Sequence, residues 1–206
     1  MLGLIDLAAI KRVWAYSKAD FTAMGATILI VLVEGVEAGI LAGVGLSLVL
    51  FIWRTSRPHI AVVGQVPGTE HFRNIKRHAV ITDPDILSVR VDESLYFVNA
   101  HYLEDAIYDM AISARSVKHV VLMCTAVNMV DSSALVSLES LGQRLKSAGI
   151  TFHLSEVKGP VMDALKRSDF FTHFEGQVFL SQFEAIQTLS PKATGAEMIR
   201  APANID

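Results

Sequence analysis

The fold of this chain is decided by residues 120–134, which read VVLMCTAVNMVDSSA. The run begins with an unbroken apolar stretch, so residues 119–124 are predicted to form a buried strand. Asp131 stands where a helix would begin, because an aspartate side chain accepts hydrogen bonds from the free N–H groups of a first turn. Apolar residues then recur every three or four positions from residue 135 to residue 148. The segment therefore predicts a strand, a loop and an amphipathic helix.

The same alternation of strands and helices extends to both sides of this segment. Upstream, strands are predicted at Ile86–Val91 and at residues 94–98, followed by a helix over residues 100–114. Gly149 ends the central helix. The elements predicted after it are a strand at Thr151–Ser155, a helix at Gly159–Arg167, a short strand at residues 178–180 and a helix at residues 181–190. This order predicts an α/β domain over residues 79–190, with a central sheet covered by helices.

The segments that flank this domain lack its regular pattern. Residues 58–78, which include Ile60–Gln65, Pro67-Gly68 and Thr69–Arg77, are predicted to be a connector with at most one short strand. Residues 191–206 combine small and polar residues with little apolar periodicity. They are predicted to be a disordered tail.

A long apolar run precedes the connector. Among the 33 residues of the segment 21–53, only Glu34 and Glu37 are charged. A straight helix of that length would measure about 50 Å, whereas the hydrocarbon core of a bilayer is about 30 Å thick. Because a carboxylate is costly in lipid, Glu34 and Gly35 are predicted to form a turn at the membrane surface. The run thus predicts a hairpin with legs at residues 21–33 and 36–53.

The residues around the hairpin indicate its orientation and its neighbours. Basic residues flank both legs, which places both ends of the hairpin in the cytoplasm and its turn outside. Gly35, Gly39 and Gly43 recur every four residues and form a face that another helix can approach closely. Residues 1–16 have helical apolar spacing and predict an amphipathic helix, so residues 1–57 are assigned to this membrane part. Glu34 and Glu37 are interpreted either as solvated turn residues or as part of an ion path.

Charge and composition exclude several classes of function. Residues 58–206 carry thirteen Lys and Arg against seventeen Asp and Glu, a net charge of −4 with histidine neutral. No nucleic-acid partner is therefore expected. The single cysteine, Cys124, cannot form an intrachain disulfide and is expected to be a buried thiol in a reducing compartment. No zincin, phosphate-loop or nucleophile-elbow motif is present, so no metal, cofactor or enzymatic activity is predicted.

Several motifs together resemble one protein family. The run over residues 120–134 is similar to the strand, loop and helix start of STAS domains, the fold shared with bacterial anti-sigma-factor antagonists. The segments Ser94-Leu95-Tyr96-Phe97-Val98-Asn99-Ala100 and Val157-Lys158-Gly159-Pro160-Val161 resemble further parts of that domain. Gly3-Leu4-Ile5-Asp6-Leu7, Gly35-Val36-Glu37-Ala38-Gly39-Ile40 and Trp53-Arg54-Thr55-Ser56-Arg57-Pro58-His59 resemble the last membrane segments of SulP anion transporters. The chain thus resembles the C-terminal part of a SulP (sulfate-type) transporter, with an α/β STAS domain after a membrane hairpin.

The resemblance implies a role within a larger assembly. It implies a multi-pass secondary transporter of the cell membrane for sulfate, bicarbonate or dicarboxylates, a homodimer with a cytoplasmic STAS domain that regulates, assembles or binds a protein partner. In that family the anion binds between half-helices that come earlier in the chain, so residues 1–206 alone are expected to move no anion. Their partners would be the membrane, the remainder of the transporter or other membrane helices. The alternative is a membrane-tethered signalling module of the anti-sigma-factor antagonist type.

The resemblance also names a candidate regulatory residue. In the anti-sigma-factor antagonists, the serine directly after the aspartate is phosphorylated, which corresponds to Ser132 here. Asp131 and Ser133 surround it at a helix N-terminus, where free N–H groups and the helix dipole favour negative charge. The competing interpretation is that these three residues only cap the helix.

Overall fold

The computed structural model describes residues 7–114, 116–190 and 197–199. Within them the chain divides into two units, the first ending at Ser56 and the second beginning at Arg57. Residues 1–6 of the predicted amphipathic helix lie outside the described residues.

Residues 7–56 of the first unit form three helices. They are α1 (Leu7–Tyr16), α2 (Lys18–Glu34) and α3 (Val36–Thr55). Ser17 caps α2 by accepting a hydrogen bond from the Asp20 N–H at 3.2 Å. Gly35 separates α2 from α3 with φ +96°, a conformation that a residue with a Cβ adopts only under strain. The predicted turn is confirmed at this residue, and Glu34 and Glu37 are exposed beside it.

Helices α2 and α3 run antiparallel. Gly39 of α3 packs on Val31, and Gly43 packs on Thr27 one turn further from Gly35. The small-residue face predicted to admit another helix therefore admits α2. At the far end, Arg54 and Asp20 form an exposed ion pair at 3.5 Å. Among the described helices, α3 is long and apolar enough to cross a membrane by length and composition.

The second unit is built on a mixed sheet of eight strands within the described residues. In chain order they are β1 (Ile60–Gln65), β2 (Phe72–Asn74), β3 (Val80–Thr82), β4 (Ile86–Val91), β5 (His119–Met123), β6 (Thr151–Ser155), β7 (Val178–Phe179) and β8 (Glu197–Ile199). The strand order is β7-β6-β5-β4-β1-β3-β8, and β2 also pairs with β1. Strands β4 to β7 are parallel, whereas β1, β2, β3 and β8 pair antiparallel with their neighbours.

Helices cover both faces of this sheet. They are α4 (Ala100–Ser113), α5 (Ser132–Ser147), α6 (Gly159–Arg167), α7 (Phe170–His173) and α8 (Gln182–Leu189). Successive residues of β5 point to opposite faces: Val120 and Leu122 pack in the core with α4 and α5, and Val121 packs with α8. The predicted α/β architecture is confirmed, and α5, β6 and α6 begin at the residues expected from the sequence.

Three sequence predictions differ from the structure. The segment 58–78 is not a connector, because β1 lies within the sheet between β4 and β3 and also pairs with β2. Residues 94–98 form an isolated bridge, Leu95 with Val130, and the start of a turn instead of a strand, because the Asn99 side chain accepts from the Tyr96 N–H at 3.1 Å and donates to the Ser94 carbonyl at 2.9 Å. Within the predicted disordered tail, Glu197–Ile199 forms strand β8, since the edge of β3 offers unpaired backbone groups. The rest of the predicted tail lies outside the described residues.

Candidate functional site

The candidate site is the start of α5, which follows β5 and its loop at the carboxyl end of the parallel strands. Asp131 is the N-cap: its Oδ1 accepts from the Ala134 N–H at 2.8 Å. Its Oδ2 accepts from the Phe97 N–H at 2.9 Å. One carboxylate therefore caps the helix and also fixes the turn before α4.

Ser132 and Ser133 occupy the first turn of α5 and both are exposed. The structure thus brings the three predicted residues together, with Asp131 in the capping role and the two hydroxyl groups open to solvent. Ala134, the next residue, is 1% exposed and anchors this turn in the core. A group attached to Ser132 would point into solvent without displacing a packed side chain.

Three exposed apolar residues lie near this serine pair, either along the sequence or through backbone hydrogen bonds to neighbouring residues. Phe97 is 70% exposed, and its backbone is hydrogen-bonded to Asp131. Met129 is 53% exposed, and its carbonyl accepts from the Leu95 N–H. Val136 is 65% exposed and lies one turn after Ser132 on the same helix. Such a mixture of apolar and hydroxyl groups is typical of a protein-binding surface.

The loops beside α5 carry polar residues that the sequence analysis missed. The Thr125 hydroxyl donates to Glu156 Oε2 at 2.7 Å, and Lys158 Nζ donates to Asn128 Oδ1 at 2.6 Å. Glu156 has φ +54°, a strained value for a residue with a side chain. The strand order could have indicated these residues, because β5 and β6 are parallel and the loops that follow them meet at one edge of the sheet.

A buried ion pair fixes α5 against α4. The Glu104 side chain is 7% exposed and accepts from Arg144 Nη1 at 2.9 Å and from the Ser140 hydroxyl at 2.6 Å. Arg144 also binds Asp105 at 2.8 Å and lies over the Tyr108 ring at 4.1 Å. Burial by itself would raise the pKa of Glu104, but the hydrogen bonds from Ser140 and Arg144 outweigh it and hold that pKa below its ordinary value.

One histidine–carboxylate cluster and one histidine pair among the described residues carry metal-binding atom types, and their atoms have other partners. His101, Glu104 and Asp105 offer ligand atoms within 4.8 Å of one another, but Arg144 Nη1 already binds both carboxylates, at 2.9 and 2.8 Å. His119 Nδ1 lies 3.2 Å from His153 Nε2. Because His153 Nδ1 accepts from the Gln177 N–H, its proton sits on Nε2, which is then a donor to His119 and not a metal ligand.

Burial shifts the pKa values of Cys124 and His153 away from the neutral range. Burial raises the pKa of the Cys124 thiol to about 12, so the thiolate needed for nucleophilic chemistry is scarce. Burial, and then the neighbouring His119, lower the pKa of His153 to about 4. The chemistry available at the candidate site is therefore that of hydroxyl groups at a helix N-terminus.

We expect Asp131→Ala to lower the free energy of unfolding by about 2 kcal/mol, at the upper end for an N-cap, because the Phe97 N–H also loses its acceptor. Asp131→Asn retains one oxygen acceptor and should lose less than half of that. Urea unfolding of the full chain in detergent, followed by far-UV circular dichroism, measures both variants. Equal losses in the two variants would contradict the capping role.

Comparison with known proteins decides the family. A protein-family model for the STAS domain matches residues 78–185, which is more than half of the chain. The chain belongs to the STAS domain family. The matched residues include strands β3 to β7 and the start of α5, so the candidate site lies inside the STAS domain.

Relatives of the chain extend the similarity beyond the STAS domain. The chain is 35% identical to probable sulfate transporter 4.2 of Arabidopsis thaliana over 177 residues. This match covers 81% of the chain and 26% of that protein. The chain is 31% identical to sulfate transporter 1.3 of the same plant over 204 residues, or 93% of this chain and 31% of that protein. High affinity sulfate transporter 2 of Stylosanthes hamata is 27% identical and covers 93% of the chain. The chain spans about a quarter to a third of the length of these relatives.

A solved structure shares the fold. The anion transporter murine Slc26a9, in its inward-facing state, superimposes with a TM-score of 0.81 and 19% identity, covering 90% of this chain and 31% of that one. The findings together are consistent with the C-terminal part of a SulP-family transporter with its STAS domain, as the sequence resemblance implied.

Proposed function

We propose that this chain forms the C-terminal membrane hairpin and STAS domain of a secondary transporter for anions of the sulfate, bicarbonate or dicarboxylate class. One observation carries the proposal. The match to sulfate transporter 1.3 covers 93% of the chain and therefore takes in the hairpin and the STAS domain together. A membrane-tethered signalling module is the less supported alternative, because the relatives that match both parts are named as sulfate transporters.

In the proposed transporter, the hairpin and the STAS domain have different locations. The hairpin lies in the cell membrane of a multi-pass protein, with basic flanks at its two ends and its Gly35 turn outside. The STAS domain is cytoplasmic and non-enzymatic, and serves regulation, assembly or the binding of a cytoplasmic protein. The partners in the membrane are the remainder of the transporter, other membrane helices and a second copy in a homodimer.

The transport site is expected elsewhere in the transporter. An anion site of this kind forms where the N-termini of broken helices meet between repeats, and one hairpin supplies too little of that interface. Proteoliposomes that contain only residues 1–206 should take up no labelled sulfate or bicarbonate, and uptake above that of empty liposomes would overturn this part of the proposal. In the native host, an in-frame deletion of residues 57–206 should lower uptake of at least one anion of the three classes. Unchanged uptake of all three would favour the signalling module.

Ser132 is the proposed point of regulation. A phosphate there would be favoured by the N-terminus of the 16-residue helix α5 and would place negative charge among Phe97, Met129 and Val136, which would weaken an apolar contact. Intact-mass analysis of the chain from its native host should show one phosphate that the variant Ser132→Ala lacks and the variant Ser133→Ala retains. No phosphate under any growth condition would end the proposal and leave Asp131, Ser132 and Ser133 as a helix cap.

A further inference from the structure

The net negative charge of the STAS domain conceals one local cluster of cations. Arg73, Lys76 and Arg77 lie in and after β2, and no acidic residue occurs between Glu70 and Asp83. All three side chains are exposed, and His78 next to them is exposed as well. Across the described part of the chain, no ion pair engages any of these three cations, whereas Arg90, Lys118, Arg144 and Lys146 are all paired.

A rigid turn holds this cluster. Asn74 Oδ1 accepts from the Lys76 N–H at 2.8 Å, and the Asn74 carbonyl accepts from the N–H groups of Arg77 and His78 at 3.0 and 3.1 Å. The backbone of the turn is therefore ordered before any ligand binds, so binding costs little conformational entropy.

Strand pairing places the turn beside the beginning of β1. Strands β1 and β2 are antiparallel, with Val63 opposite Asn74, and the Ile75 N–H donates to the Val62 carbonyl at 3.1 Å. Strand β1 begins at Ile60, only five residues after the last residue of α3. Five residues span at most about 17 Å, so the chain that joins the end of α3 to the start of β1 is short. The opposite end of the β1–β2 hairpin, at Glu70, is the acidic end.

We propose that the basic turn formed by Arg73, Lys76, Arg77 and His78 binds the anionic headgroups of the membrane into which the hairpin inserts, and so holds the STAS domain against the lipid surface. Cations unpaired within the domain, fixed in an ordered turn beside the first strand after the hairpin, match the negative potential of an anionic leaflet. The proposal rests on the proposed membrane location of the hairpin. It adds a lipid ligand and a determinant of domain position.

The test uses the full chain in nanodiscs, with a fluorophore on a cysteine introduced by Ala79→Cys, next to His78. Headgroup-labelled quencher lipid reports the docked fraction. In nanodiscs with about 30% phosphatidylserine, Lys76→Gln/Arg77→Gln should lower the ratio of docked to undocked domain about thirtyfold, since each cation near an anionic surface contributes about fivefold. Raising the salt concentration should lower the ratio further.

A matched variant controls for net charge. Lys166→Gln/Arg167→Gln removes the same charge from exposed positions in the last turn of α6 and should leave the quenching unchanged. A fluorophore at Glu70→Cys, at the far end of the β1–β2 hairpin, should be quenched less than one at Ala79→Cys.

Two results would overturn the lipid site. One is equal quenching at Ala79→Cys in neutral and anionic nanodiscs, which would leave the cations for a protein partner. The other is an equal loss in the Lys166→Gln/Arg167→Gln control, which would indicate attraction by overall charge. A chain that fails to enter nanodiscs of either composition would instead contradict the proposed membrane function.

Discussion

Replacing Arg144 with methionine is expected to lower the free energy of unfolding of the STAS domain by about 3 kcal/mol at neutral pH. Methionine keeps much of the packing of the arginine stem but leaves the Glu104 carboxylate, 7% exposed, with only the Ser140 hydroxyl and His101, whose Nδ1 lies 3.6 Å from Glu104 Oε2, as partners. Removing one partner of a buried ion pair costs about 3–5 kcal/mol, and the 34% exposure of the Arg144 side chain favours the lower end of that range. Urea unfolding of the full chain in detergent measures the change.

The pH dependence of the stability loss in Arg144→Met tests whether the unpaired Glu104 carboxylate causes that loss. In the native protein the pKa of folded Glu104 lies below its ordinary value, so its stabilising contribution is present above about pH 4.5 and is lost as the pH falls through the folded pKa. In Arg144→Met, burial without the cation raises the pKa of Glu104, and the protonated acid is tolerated. The difference between variant and native chain should therefore be largest at pH 7 and shrink as the pH falls toward 4. A difference that is independent of pH would show that packing, and not charge, is lost.

Two further variants complete this test. Arg167→Met removes an exposed arginine from the last turn of α6 and should change the free energy of unfolding by less than about 0.5 kcal/mol. The double variant Glu104→Gln/Arg144→Met leaves no charge at either of these two positions and should be more stable than Arg144→Met alone.

Gly176→Ala is expected to lower the free energy of unfolding of the STAS domain by about 3 kcal/mol or more. We expect no other addition of one methyl group at a described glycine of this domain to cost as much. A Cβ added at this position would overlap the carbonyl oxygen of Phe152 in β6. The backbone cannot yield easily there, because the next residue, Gln177, pairs with both His153 and Leu154. Overpacking of this kind costs about 1–3 kcal/mol where side chains can adjust, and more where two backbones collide.

Gly142→Ala is the matched control, since it adds the same methyl group near the same residue. A Cβ at Gly142 would lie 3.8 Å from the Phe152 ring, an ordinary van der Waals contact, and Gly142 is in the interior of α5. Alanine in a helix interior is favoured over glycine by up to about 1 kcal/mol, so this variant should be as stable as the native chain or more stable. Thermal unfolding of the full chain, followed by circular dichroism, ranks the two variants. Equal melting temperatures would contradict the close approach at Gly176.

Local signals explain which parts of the fold the sequence could predict. Asp131 caps the start of α5, Gly149 follows the end of α5 with φ +76°, and Gly159-Pro160 begins α6. Each of these helix boundaries is therefore determined by one or two residues that can be recognised in the sequence. The Gly35 turn of the hairpin is of the same kind. The hairpin legs and the start of α5 were therefore placed correctly from sequence.

The parts that sequence reasoning missed depend on contacts between distant residues. The place of β1 in the sheet depends on its pairing with β4, in which Val62 lies opposite Val89. The composition of a short apolar strand does not indicate which other strand it pairs with. Residues 94–98 have a strand-like composition, but Asn99 folds them into a turn. At the candidate site, Asp131 was predictable as a cap, whereas its bond to Phe97 and the pair of Thr125 with Glu156 arise only when separate loops meet.

In the proposed topology, the turn of the membrane hairpin lies on the opposite side of the membrane from the STAS domain. Reaction of single cysteines with a membrane-impermeant maleimide in right-side-out vesicles tests it most directly. The native Cys124 is buried, with its pKa raised to about 12, and gives little background. Glu34→Cys at the hairpin turn should react in intact vesicles, and Ala79→Cys in the STAS domain should react only after permeabilisation. Reaction of Ala79→Cys in intact vesicles at the rate of Glu34→Cys would contradict the account.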